Sequence, residues 1–167
     1  EFNVQNLVNT LWSFAKLGMV EEALMEAAST RVWETMGGLK AQGLANIVWA
    51  FAKLEMREEA LMRAVSSRVR EVLCEISAQG LANVVWGFAK LEARNEALME
   101  AASSHALEKL RWFTTQNLAN TAWAFAKLEV RDKVLMKAVC LRAWETLGEF
   151  NAQELANAMW ALAKLEM

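Results

Sequence analysis

Set on a 3.6-residue wheel, residues 7 to 16 gather Leu7, Val8, Leu11, Phe14 and Ala15 into one broad arc with Trp12 at its border. Gln5, Asn6, Asn9, Ser13 and Lys16 fill the opposite arc, so the pattern predicts an amphipathic helix, helix A, that starts just before Gln5 and ends after Lys16-Leu17. A second amphipathic run, helix B, follows over Val20–Met36 and recurs at Arg57–Leu73, Arg94–Leu110 and Arg131–Leu147. In it Leu24, Leu61, Leu98 and Leu135, Met25, Met62, Met99 and Met136, and Ala28, Val65, Ala102 and Val139 share one face at i, i+1, i+4 spacing. That face is the B half of the expected core.

The helix A phrase is repeated. Gln5, Gln42, Gln79, Gln116 and Gln153 stand 37 residues apart, and behind each follow a Leu (7, 44, 81, 118, 155), an Asn, a Trp (12, 49, 86, 123, 160) and a Lys. A strict period of this size marks a solenoid, whose units bury their apolar faces against their neighbours. The expectation is an all-α fold: one α-solenoid array over residues 1–167, with about 4.5 repeats starting near 3, 40, 77, 114 and 151. Its nine helices are four antiparallel pairs and a lone A helix from about Asn151 to Leu165. The chain reads as a piece of something longer, with further repeats or a partner expected at both ends.

Local signals fit those bounds. The residue two before each Gln is Asn3, Lys40, Ser77, Thr114 or Asn151, and all but the lysine can cap a helix N-terminus. At the other end Gly18 suits a left-handed C-cap, whereas Glu55, Glu92, Glu129 and Glu166 predict poorer capping in the later copies. Glu21, Glu22, Glu58, Glu59, Glu96 and Asp132 open the B helices, where they complement the macrodipole. Arg31, Arg68, His105 and Arg142 precede Glu34, Glu71, Glu108 and Glu145 at pairing distance.

Composition adds exclusions. The chain is 55% hydrophobic and lacks proline, yet Gln, Asn or Lys interrupts every apolar run well short of a membrane span. A net charge of −2 argues against an indiscriminate nucleic-acid binder. Cys74 and Cys140 have no metal-spaced partners and read as buried thiols. His105 is the only histidine and stands in an arginine column; no nucleophile–base pair, phosphate loop or paired-carboxylate site accompanies it. The sequence predicts no enzyme, no cofactor and no metal.

The constant polar band of helix A is the candidate site: Gln5, Asn9 and Lys16; Gln42, Asn46 and Lys53; Gln79, Asn83 and Lys90; Gln116, Asn120 and Lys127; Gln153, Asn157 and Lys164. Stacked in register they form three ladders. Lysines at that spacing can neutralise successive phosphates while the amides bond phosphate, ribose or base edges, and five such contacts imply a salt slope of roughly −3 on a single strand. The same residues could instead stabilise the stack, with Lys complementing the helix dipole and the amides satisfying one another. Constancy of three polar types, against free drift at Glu26, Arg63, Glu100 and Lys137, favours the first reading. The Trp column is expected to pack between repeats rather than to stack on bases.

Between the ladders lie three varying columns: Asn6, Gly43, Gly80, Asn117 and Glu154; Thr10, Ile47, Val84, Thr121 and Ala158; Ser13, Ala50, Gly87, Ala124 and Ala161. A reader that gives each repeat one unit of a polymer needs such changing positions on a constant scaffold, so these columns are candidates for base selectivity. On that view, exchanging Asn117 and Thr121 for the Gly and Val of the third copy shifts base preference.

The phrase Gln-x-Leu-Ala-Asn-x-x-Trp-Ala-Phe-Ala-Lys-Leu, complete at 116–128, resembles the heptatricopeptide and octotricopeptide repeat proteins over essentially the whole chain. The missing Pro-Pro-Pro-Glu-Trp phrase and the 37-residue period point to the heptatricopeptide type. The resemblance implies an organellar α-solenoid, mitochondrial or chloroplast, that binds single-stranded or ribosomal RNA along the helix A face. No RAP domain accompanies the repeats here, so nothing suggests nuclease activity. The competing expectation is a protein scaffold that grips an extended peptide or bridges subunits of an organellar complex.

Overall fold

The computed structural model describes residues 3–166. Among them it forms nine α-helices and no strand: α1 (Val4–Leu17), α2 (Glu22–Thr35), α3 (Ala41–Lys53), α4 (Glu59–Glu71), α5 (Ala78–Lys90), α6 (Glu96–Lys109), α7 (Thr115–Lys127), α8 (Lys133–Glu145) and α9 (Ala152–Lys164). The odd-numbered helices are the A helices and the even-numbered the B helices. Each A helix packs on the next, and the B helices make a second, looser layer outside them. The A helices approach one another far more closely than the B helices do.

Small side chains permit that approach. Ala50, Ala124 and Ala161 are fully buried between A helices, and at Gly87 a Cβ would stand 2.5 Å from Val48 Cγ1 and 3.0 Å from its carbonyl oxygen. Beneath them Phe51, Phe88, Phe125, Leu44, Leu81 and Leu118 form one continuous core with the methionines Met25, Met62, Met99 and Met136 from the B layer. Leu155 occupies the same column as Leu118 but is 39% exposed, since no helix follows α9 among the described residues.

The B helices are shorter than the sequence predicts. Each ends in a separate 3-10 turn (Met36–Gly38, Leu73–Glu75, Leu110–Trp112, Leu147–Glu149) and starts later, where Asn95 and Asp132 accept hydrogen bonds from Leu98 N and Leu135 N, both 2.9 Å. The same N-cap position ties repeats together: Ser29 donates to Glu58, Asn95 to Ser66 and Ser103 to Asp132. His105 behaves as a member of its arginine column. Arg68 Nη2 donates to Gly37 O at 3.2 Å, and His105 Nε2 to Ile76 O at 3.3 Å, each reaching the turn of the preceding repeat. The three arginines form the expected pairs with the following glutamate, and His105 Nδ1 stands 3.5 Å from Glu108.

Two expectations need correction. Cys74 is exposed, because it lies in a surface 3-10 turn, and Cys140 is half-buried, because it takes the position of Ser103 in a repeat with no N-cap residue above it. Helices α3, α5 and α7 are also capped as fully as α1. Glu55, Glu92, Glu129 and Glu166 adopt left-handed φ values of 55–59°, beside 64° at Gly18, and Met56 N donates to Phe51 O at 2.9 Å as Met19 N does to Phe14 O at 3.1 Å.

Candidate nucleic-acid interface

The polar band predicted from the sequence lies together on the solvent-facing surface of the A layer. The five Gln side chains are exposed, Asn9 is exposed, and Asn46, Asn83, Asn120 and Asn157 are half-buried. Each helix places them alike, because Gln sits in its first turn and Asn one turn later; side-chain caps from Asn3, Ser77, Thr114 and Asn151 fix four of the starts. Gln5 Nε2 donates to Asn9 Oδ1 at 3.0 Å; no other Gln–Asn pair of the band is so engaged among the described residues. None of these amides is a buried atom lacking a partner, so the rows open to solvent. Between α3 and α5 they line a cleft of about 350 Å³, walled by Gln42, Asn46, Gln79 and Asn83 and floored by Ala45, Ile76 and Gly80.

Beside the amides runs a strip of tryptophan and lysine. Trp12 and Trp49 pack with ring centroids 6.3 Å apart and planes tilted by 33°, and Trp123 and Trp160 do so at 6.5 Å and 35°. The Trp column therefore packs between repeats, as expected, yet stays half-buried or, at Trp12 (42%) and Trp160 (44%), exposed. Lys16 Nζ lies 5.2 Å from the Trp12 ring and 5.3 Å from the Trp49 ring, and Lys53 Nζ lies 5.9 Å from Trp49 and 5.7 Å from Trp86. Those distances lie within cation–π range.

The remaining lysines are paired with carboxylates, and Lys164 Nζ also lies 5.5 Å from the Trp160 ring. Lys90 pairs with Glu55 at 3.2 Å, Lys127 with Glu92 at 3.1 Å and Lys164 with Glu129 at 3.3 Å, each glutamate coming from the preceding repeat. Arg57 also reaches Glu92, at 3.5 Å. The hydrogen bond from Lys127, then its charge and that of Arg57, hold the Glu92 carboxyl below its ordinary pKa. These glutamates belong to the surface and the wheel missed them. Their signal was present in the sequence: a Glu stands 35 residues before each of Lys90, Lys127 and Lys164, and Gly18 stands there for Lys53.

The selectivity columns are placed otherwise than expected. Ile47, Val84, Thr121 and Ala158, with Ala50, Gly87, Ala124 and Ala161, are buried between successive A helices and cannot meet a polymer. Thr10, Ser13 and Asn6 are open only because no described helix precedes α1. Asn117 is likewise buried; Gly80 borders the cleft, and Gly43 and Glu154 are partly exposed.

The comparison with protein families adds a setting for this surface. The model of the RNA-editing substrate-binding complex 6 protein matches residues 1–59, 34–96 and 59–167, which together span the chain. The chain belongs to this family. Membership of the RNA-editing substrate-binding complex 6 family marks it as an RNA-associated helical protein; the name differs from the heptatricopeptide and octotricopeptide type expected on the repeat phrase. No curated protein matches the chain. Among the described residues no helix is long and apolar enough to cross a membrane.

Proposed function

We propose that the solvent-facing surface of the A layer binds single-stranded RNA as part of an RNA-editing or related organellar RNA-processing assembly, in a binding rather than a catalytic role. The observation that carries this is the run of Gln and Asn amides, of which only Gln5 and Asn9 bond to each other among the described residues, alongside half-exposed tryptophans with lysines set over them. Aromatic faces with adjacent cations suit unstacked bases on a phosphate backbone, with little demand on sequence. A mitochondrial setting, that of RNA editing in kinetoplastids, agrees with the organellar location the repeat phrase suggests. The heptatricopeptide assignment within that reading rests on the phrase itself.

The test is fluorescence anisotropy with a short labelled RNA, comparing the chain with a variant in which Lys16, Lys53, Lys90, Lys127 and Lys164 are all Gln. The reading expects weaker binding and a shallower salt dependence for the variant; equal affinities refute it. The scaffold reading draws on one observation, that paired glutamates leave much of the strip near neutral. It expects a protein partner retained after nuclease treatment and at high salt.

A further inference from the structure

On the reading that this face binds RNA, we propose that the phosphate-binding segment is its N-terminal end, built on Lys16 and Lys53 with Trp12, Trp49 and Trp86. In this arrangement Glu55, Glu92 and Glu129 withhold Lys90, Lys127 and Lys164 from the polymer. The five lysines are equivalent in sequence and unequal in surroundings. Lys53 faces the place where the other repeats carry a glutamate, and Gly18 stands there instead; neither Lys53 nor Lys16 has a carboxylate within ion-pair distance among the described residues.

The difference matters because phosphate binding draws on the release of counterions condensed on the nucleic acid, and a lysine already paired with a carboxylate brings no net charge to that exchange. A phosphate that displaced Glu92 from Lys127 would also leave the freed carboxylate beside it. At the N-terminal end the ammonium groups rest between two indole rings, so a nucleotide can place its phosphate on the cation and its base against Trp12, the more exposed ring. Two effective cations give a salt slope of roughly −1.4 on a single strand, well short of the five-lysine value.

Five variants of the chain separate the possibilities, with a fluorescein-labelled oligouridylate as probe and circular dichroism to confirm folding. Lys16→Gln/Lys53→Gln is expected to lose about tenfold or more in affinity at low salt and most of the salt slope. Removing the pairs whole, Lys90→Gln/Lys127→Gln/Lys164→Gln together with Glu55→Gln/Glu92→Gln/Glu129→Gln, is expected to change affinity by less than about twofold. Glu55→Gln/Glu92→Gln/Glu129→Gln is expected to tighten binding and steepen the slope, and the corresponding glycine triple, which copies Gly18, to do the same. A control, Glu26→Gln/Glu34→Gln/Glu100→Gln, makes the same charge change on the B helices, away from the strip, and is expected to tighten binding less. If the variant lacking all three pairs weakens binding as much as the double-lysine one, or the control gains as much as the glutamate triple, the assignment to the N-terminal end is wrong while RNA binding by this face stands. If none of the lysine variants alters affinity, the RNA reading itself is wrong.

Discussion

Replacing Thr121 by valine should stabilise the array and leave RNA binding unchanged. Thr121 is 1% exposed, wedged between α7 and the preceding A helix, and its Oγ1 is a buried atom with no hydrogen-bond partner. Leaving such a hydroxyl unpaired costs about 1–3 kcal/mol, and valine removes it while keeping the branched shape. The extra apolar methyl contributes up to about 0.8 kcal/mol. The site accepts it, because Val84 and Ile47 occupy the same column in other repeats at 0% exposure. Thr and Val have similar helix propensities, so the backbone is not a competing effect. The expected gain is about 1–3 kcal/mol, or a rise in Tm of about 2–4 °C per kcal/mol for a chain of this size. Thermal and urea unfolding followed by circular dichroism measure it. Thr121→Ser, which keeps the hydroxyl and loses the methyl, should go the other way. A Thr121→Val variant no more stable than the parent would show that the hydroxyl is satisfied after all; a shift in base preference would show that this column does reach the ligand.

Leu118→Ala should cost about 2–5 kcal/mol because Leu118 is fully buried in the middle of the core. Leu155→Ala, at the same repeat position but 39% exposed, should cost about 1 kcal/mol or less, as comparative unfolding curves would show. Since the Glu92 pKa is depressed below 4.5, its pairing contributes stability above that pH and loses it as pH falls through the lower, folded-state value. Lys127→Gln should move the Glu92 titration, followed by carboxyl NMR, up toward 4.5. Exposed Cys74 should react with a maleimide well before Cys140, whose thiol pKa is raised by burial, and Cys74→Ser should abolish the fast phase.

The architecture was legible because the period and the two apolar arcs are local properties of the chain. Leu44, Phe51 and Met62 fall inside for the reason the wheel gives. The wheel misjudged Ile47, Val84 and Thr121 because it assumes one buried arc per helix, whereas an inner helix of a solenoid touches the preceding helix, the following helix and its own B partner. Positions on the flanks of the polar band are therefore covered by neighbours that lie 37 residues away in sequence. The hint was composition: Ala, Gly and small β-branched residues at 47, 50, 84 and 87 suit close helix approach better than they suit base recognition. The 3-10 turns escaped notice because Leu73, Leu110 and Leu147 continue the apolar periodicity of helix B while the backbone tightens.

The four left-handed glutamates bear on the same surface from another direction. A non-glycine residue in that conformation costs roughly 1–2 kcal/mol, and Gly18 shows that the cap closes without a side chain. An exposed Lys–Glu pair is screened by solvent and returns little, so stability alone does not favour glutamate over glycine at Glu55, Glu92 and Glu129. What each carboxylate does supply is one negative charge against the lysine of the next repeat, on the face where a polyanion would lie. The exchange of glycine for glutamate thus changes the field of the groove while the backbone path stays the same, and it divides one geometrically uniform ladder into a charged segment and a neutralised one.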